Sequence, residues 1–264
     1  METREPDVTP TVVKLGGTTV AADERALNGI ADHAARRKLV IVHGGGKVLS
    51  AWLERMRIES RFEDGLRVTD DEALEVALAV FGGLVNGELV AALNRVGVGA
   101  VGVTGMDDGL LIGERVAGLG RVCRLKGIRR RLIDALLAAG LTPVVAPLAL
   151  DENGEPCNVN ADEAAAGLAA GFGARLLLLT DTDGVLDETG RQIPFLDART
   201  AQRLIDEGAI RDGMLPKVRG ALAALDGGAK EVLIANGRTE AAVRRALDGL
   251  LTGSRIQRAT EDAQ

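Results

Sequence analysis

Short runs of β-branched and leucine residues recur along the chain without polar alternation, and most are followed by alanine- and leucine-rich segments with helical spacing. TVVKL at 11–15 precedes 23–37, LVIV at 39–42 precedes 47–56, and PVVAP at 143–147 precedes 162–170. RLLLL at 175–179 is followed later by 215–225, and EVLI at 231–234 by 240–250. Strands without polar alternation are buried on both faces, and strand-then-helix units build parallel sheets with helices on each side. The pattern therefore predicts an α/β fold with a mostly parallel central sheet.

Two segments break the rhythm. Residues 63–67 and 151–157 carry Asp-Gly or Asn-Gly turns and are expected to form hairpins or loops rising from the sheet edge, suited to cover a pocket. No repeat or serine-rich linker divides the chain. The softest boundary is Gly171, Phe172 and Gly173, giving lobes 1–173 and 174–264 that share one sheet.

Composition narrows the class. With 264 residues, 46% of them hydrophobic, the chain can bury a substantial core. A net charge of −6 disfavours nucleic acid and anionic membrane as partners. Cys123 and Cys157 fit no metal spacing and are expected to be buried thiols in a reducing cytoplasm. METREPDVTP at the start lacks the apolar stretch of a signal peptide. The longest apolar stretch, 135–150, is interrupted by Gly140, Thr142, Pro143 and Pro147, so a soluble protein is expected.

The candidate chemistry is that of an anion. HGGGK at 43–47 joins an apolar strand to a helix, where glycines admit close approach and free amides favour negative charge; a tight βα turn is the plainer alternative. It is not a P-loop, because Val48 follows Lys47. Gly16 and Gly17 repeat the feature after the first strand, beside Lys14, an ammonium that needs a partner unless it lies at a sheet edge. The G-x-G-x-x-G at 97–102 lacks dinucleotide context, since a helix-like segment precedes it and a strand runs through it. Asp162 either caps the helix after Asn158 and Asn160 or holds both Lys14 and Lys217. Arg67 offers a bidentate fork for a carboxylate. Thr180, Asp181, Asp183 and Gly184 end a buried strand, where the acids meet ribose hydroxyls or simply terminate the strand in a turn. A glycine-lined cradle, distant lysines and one organising carboxylate suit phosphoryl transfer to a small acidic molecule.

VVKLGG, VIVHGGG, GLRVTDDEALEV, NVNAD, LLLLTDTDGVL and DGMLPKVRGAL, in this order from about 11 to 256, resemble the amino-acid kinase family and, within it, the acetylglutamate kinases. The resemblance implies a three-layer αβα sandwich and ATP- and Mg2+-dependent phosphorylation of the side-chain carboxylate of N-acetyl-L-glutamate, in arginine biosynthesis. It makes Lys14, Lys217 and Asp162 catalytic and assigns Gly45, Gly46, Arg67, Asn158 and Asn160 to the acceptor or transferring group. Nucleotide contacts fall on Gly16, Gly17, Thr180, Asp181, Asp183, Gly184, Leu186, Ile210, Gly213, Met214 and Lys217. The first lobe would bind the acyl amino acid and dimerise, and the second would bind nucleotide. No protein metal site is implied, and a carboxylate acceptor needs no general base.

Departures from the family pattern fall at Cys157 and at 105–109. Arginine-inhibited hexameric members of the family carry an extra N-terminal helix, so the resemblance, with about ten residues before the first strand here, implies an arginine-insensitive homodimer as an expectation. One rival is a sister kinase acting on 2-aminoadipate or glutamate attached to an acidic carrier protein, which the basic residues Arg121, Arg124, Lys126, Arg129, Arg130 and Arg131 would dock unless they form a solvated face. Another is a non-catalytic sensor of nucleotide or amino acid.

Overall fold

The computed structural model describes residues 9–16, 24–63, 65–187, 189–250 and 252–258. The chain opens with β1 (Thr11–Leu15), α1 (Glu24–Ala34), β2 (Leu39–His43) and α2 (Gly46–Met56), then a hairpin of β3 (Phe62–Glu63) and β4 (Leu66–Arg67). A 25-residue helix follows, built from α3 (Asp71–Ala77), a π-helical stretch (Leu78–Val85) and α4 (Asn86–Arg95). Next come β5 (Ala100–Thr104), β6 (Leu111–Arg115), β7 (Val122–Ile128), α5 (Arg131–Ala138), β8 (Thr142–Ala146), β9 (Leu148–Leu150), β10 (Pro156–Val159) and α6 (Ala161–Phe172). The remainder is β11 (Arg175–Thr180), β12 (Phe195–Asp197), α7 (Ala198–Asp206), α8 (Leu215–Asp226), β13 (Glu231–Asn236), α9 (Glu240–Leu247) and β14 (Ser254–Gln257).

The central sheet has eight strands in the order β12-β14-β13-β11-β1-β2-β8-β5. Every pairing from β13 to β5 is parallel, and β14 runs antiparallel to β13. Successive strand residues face opposite sides, so one sequence run feeds two cores. Val12, Val40, Val42, Leu176 and Leu178 pack with α6 and α8, through residues such as Ala165 and Val218. Val13, Leu15, Ile41, Leu177 and Leu179 pack on the other face with Leu27, Leu93 and Val243 of α1, α4 and α9. This double covering makes the αβα layers and explains the missing polar alternation. β11 inserts beside β1, so the sheet crosses the boundary at Gly173, a glycine needed for the left-handed cap of α6 at φ 59°.

Both hairpin expectations hold. β3 pairs with β4 around Gly65, and Asp151 Oδ1 accepts from the amides of Asn153 and Glu155 in the turn between β9 and β10. β10, β7, β6 and β9 close into a small barrel that the strand pattern of the sequence did not predict. β6 and β10 alternate buried and more exposed positions, whereas β7 and β9 do not. Cys123 and Cys157 are buried free thiols in this barrel, and burial pushes both thiols up from their ordinary range.

The helix Asp71–Arg95 is long and apolar enough to cross a membrane by length and composition, unlike 135–150, which folds into parts of α5, β8 and β9. In the fold it packs one part of its surface inward, burying Leu74, Val80, Phe81, Leu89 and Leu93. The G-x-G-x-x-G segment leads from α4 into β5, an edge strand.

Candidate active site

Lys14 sits in the middle of the sheet, since β1 lies between β11 and β2, and it is only 9% exposed. An edge lysine reaching solvent is thereby excluded. Its Nζ lies 2.8 Å from Asp162 Oδ1. The contact is ionic without an aligned hydrogen bond, so among the described residues that buried oxygen has no donor directed at it. Asp162 does not cap α6. Asn160 does, its Oδ1 accepting from the amides of Asp162 at 2.8 Å and Glu163 at 3.3 Å. A cap must precede the first helical turn, and Asp162 is already inside it, which frees its carboxylate for Lys14.

Nor does Asp162 hold both lysines. Lys217, in the first turn of α8, donates to the Gly213 carbonyl at 3.0 Å, the local acceptor one helical turn back. The structure thus separates the lysines into two groups of residues.

The glycine loop belongs to the first group. Gly44 N–H donates to Leu15 O at 3.0 Å, and Gly45 O accepts from Leu49 at 2.9 Å. Gly45 has φ 154°, and a Cβ there would meet the Phe81 ring at 3.0 Å, so only glycine fits. Among the described residues, no side chain caps α2. The amides of Gly45, Gly46 and Lys47 have no partner among the described residues. They join the positive end of the helix dipole at a cleft of about 230 Å³, lined by Lys14, Gly45, Gly46, Arg67, Asn158 and Asp162 among others. Gly16 is half-buried at the end of β1, and Gly17 lies outside the described residues.

Arg67 is buried by the β3–β4 hairpin. It donates to Ser60 Oγ, to Gly46 O at 3.0 Å and to Ser50 Oγ at 2.8 Å, and its guanidinium stacks 4.5 Å from the Phe62 ring centre. Burial lowers its pKa from the ordinary arginine value. Asn158 Nδ2 donates to Thr69 Oγ1 at 3.2 Å, and that hydroxyl donates to Arg67 O at 2.9 Å. Ser50, Ser60, Phe62, Thr69 and Phe81 were not found from sequence. Only Ser50, one turn beyond Gly46, gave a local spacing signal.

The second group gathers at the carboxyl ends of β11 and β13. Thr180 Oγ1 donates to Asp181 Oδ1 at 3.2 Å, and Arg238 lies 3.7 Å from Asp181 Oδ2. Burial pushes the Asp181 carboxyl up, but its own amide, Thr180, Arg238 and Lys217 together hold it below the usual carboxylate range. Asp183 Oδ1 accepts from Asn236 Nδ2 at 2.8 Å. Asn236 and Arg238 were also not found from sequence, because they reach the site only through the pairing of β13 with β11. Gly184 packs on Ser254, where a Cβ would come within 2.6 Å of the hydroxyl. Leu186 and Gly213 are exposed, Met214 is half-buried, and Ile210, at 3% exposure, packs in the core.

The basic stretch is largely neutralised within the chain. Arg121 lies 2.5 Å from Asp71, Arg124 3.2 Å from Glu163, Lys126 2.9 Å from Glu114 and Arg130 3.0 Å from Asp134, while Arg131 pairs with Asp108.

Residues 9–236 match the model of the amino acid kinase family. The chain is 44% identical to the acetylglutamate kinase of Solibacter usitatus over 251 residues, covering 93% of this chain and 98% of that one. It is 43% identical to the acetylglutamate kinase of Rubrobacter xylanophilus over 247 residues, covering 93% and 94%. Among solved structures, smu.665 from Streptococcus mutans superposes with a TM-score of 0.82 at 27% identity, covering 94% of this chain and 98% of that one. The family match and these relatives, over a parallel sheet with an amide-lined cleft at its centre, establish that this chain belongs to the amino acid kinase family and is a kinase.

Proposed function

We propose that the chain transfers the γ-phosphoryl group of ATP to the side-chain carboxylate of N-acetyl-L-glutamate, forming an acyl phosphate in arginine biosynthesis. The observation that carries this reading is the Lys14–Asp162 pair beside the uncapped start of α2, in the same cleft as Arg67 and Asn158. The relatives named acetylglutamate kinase support the choice of acceptor.

In this mechanism Arg67 and Asn158 hold the α-carboxylate and direct the side-chain carboxylate inward. That carboxylate is ionised at neutral pH, so it attacks phosphorus without a general base. As the bond to the β–γ bridging oxygen breaks, Lys14 and the amides of Gly45 and Gly46 stabilise the transferring oxygens, and Lys217 meets charge on the leaving phosphate. Asp162 keeps Lys14 in register. Asn160 completes the acceptor side while capping α6. Thr180, Asp181, Asp183, Gly184 and Leu186, with the segment 210–217 and Gly16, frame the nucleotide.

Among the described residues, no cluster of three or more His, Cys, Asp or Glu side chains is arranged to hold a metal ion. Mg2+ fits as an ion carried by phosphate oxygens and water, and bound there it would neutralise phosphate charge. The first lobe, 1–173, takes the acceptor and dimerises, and the second, 174–264, takes nucleotide. A cytoplasmic homodimer accompanies this reading, and light scattering tests the dimer.

The decisive assay measures ADP release with MgATP and hydroxylamine, offering N-acetyl-L-glutamate, glutamate, N-acetyl-aminoadipate and aspartate in parallel. Hydroxamate with acetylglutamate alone is the expected result. No turnover with any free acceptor overturns the proposal in favour of a carrier-bound substrate or a sensor.

A further inference from the structure

Two buried polar side chains behind the glycine loop have no part in the mechanism above. His43, the last residue of β2, is 2% exposed, and Asn86, which follows the π-helical stretch, is 4% exposed. His43 Nδ1 lies 2.6 Å from Gly44 O, and His43 Nε2 lies 3.2 Å from Asn86 Nδ2. A carbonyl only accepts, so Nδ1 carries the proton, and an amide nitrogen only donates, so Nε2 is bare. The amide of Asn86 is itself oriented, because Nδ2 also donates to Val144 O at 2.9 Å. Gly102 on β5 makes the room, since a Cβ there would fall 2.0 Å from Asn86 Oδ1. Burial lowers the pKa of His43 from its ordinary value, consistent with this neutral tautomer.

The network ends on the peptide that carries the Gly45 amide. That peptide is trans, so its N–H points opposite to the Gly44 carbonyl. A carbonyl turned toward His43 turns the Gly45 N–H away from it, and Gly45 lines the cleft. The Gly44 amide is tied separately to Leu15, which leaves the orientation of the next peptide to His43. We propose that His43, oriented by Asn86, is a positioning residue that fixes the Gly44–Gly45 peptide so that the Gly45 N–H faces the transferring phosphoryl group. This rests on the assignment of Gly45 to the phosphoryl cradle.

The test compares His43→Leu, which loses both ring nitrogens, with His43→Asn, whose side-chain N–H can replace Nδ1. His43→Leu should lose about 10- to 100-fold in kcat with KM values within about threefold, as expected when a transition-state donor is misaligned rather than removed. His43→Asn should recover to within about fivefold of the parent. Equal melting temperatures for the two variants would separate positioning from folding. A kcat for His43→Leu within twofold of the parent, or a loss that a folded His43→Asn does not recover, overturns the inference. A second readout does not depend on the acceptor: Mg2+ with the non-hydrolysable ATP analogue AMP-PNP should shift the Gly45 amide resonance in the parent and His43→Asn but not in His43→Leu. Equal shifts in all three overturn the positioning role, whereas a parent that shifts but does not phosphorylate acetylglutamate sinks the acceptor reading alone.

Discussion

Lys14 Nζ and Asp162 Oδ1 meet at 2.8 Å between the central strand of the sheet and the first turn of α6, at positions 148 residues apart in the chain. Both side chains are mostly buried, so removing either leaves the other without its charge partner. Lys14→Met should lower kcat by about 10²- to 10³-fold and destabilise the fold by on the order of 3 kcal/mol, since Asp162 is left unpaired. The double change Lys14→Met with Asp162→Asn should restore much of the melting temperature and none of the turnover. Calorimetry and steady-state kinetics on the parent and the two variants check both parts.

Arg67 combines charge, a planar fork and stacking on Phe62. Arg67→Lys keeps only the charge. The KM for acetylglutamate should rise at least about tenfold, which corresponds to about 1.4 kcal/mol, with a smaller change in kcat. A titration of acceptor at saturating MgATP measures this, and an unchanged KM would remove Arg67 from the acceptor site.

Asn160 has a structural duty that its place in the motif did not disclose. Asn160→Ala should cost about 1 kcal/mol as a lost cap, lowering the melting temperature by about 2–4 °C. Asn160→Asp retains a capping oxygen and should melt near the parent. Any loss of activity in that second variant then reports contact with the acceptor.

His33 is buried in α1 with an Nε2 that has no hydrogen-bond partner among the described residues, and its pKa is lowered to about 4. Burial dominates, Asp248 opposes it, and Arg175, Arg36 and Arg37 add to it. The folded pKa lies below the ordinary 6.5, so the unfolded chain binds the extra proton between these values. Stability should therefore fall as pH drops from about 6.5 to about 4, by on the order of 3 kcal/mol from this residue. Melting temperatures at pH 7 and pH 5 should differ less in His33→Gln than in the parent.

Arg131 faces Asp108 rather than the cleft. Arg131→Glu should leave kcat on free acetylglutamate within about twofold, as for other surface pairs. A large loss in that assay would instead point to the basic stretch as a working surface.

The sequence was most legible where the physics is local. Unalternating strands announced the parallel sheet, Asp-Gly and Asn-Gly turns announced the hairpins, and the run of glycines after β2 announced an uncapped helix start. The barrel of β6, β7, β9 and β10 stayed hidden because β9 and β10 have only three and four residues and its closure depends on pairings far apart in the chain, such as Asn158 with Val122. Arg238 and Asn236 stayed hidden because strand order, not spacing, carries them to Asp181 and Asp183.

Residue type by itself determined the fold class, the family and the need for cations, amides and one carboxylate. Only the tertiary structure decided which groups meet: Asp162 with Lys14 rather than with both lysines, Asn160 as the cap, and His43 reaching Asn86 behind the loop. The reason is that periodicity records burial and turn chemistry within one element, whereas the partner of a buried charge is chosen by sheet order and helix packing across the whole chain.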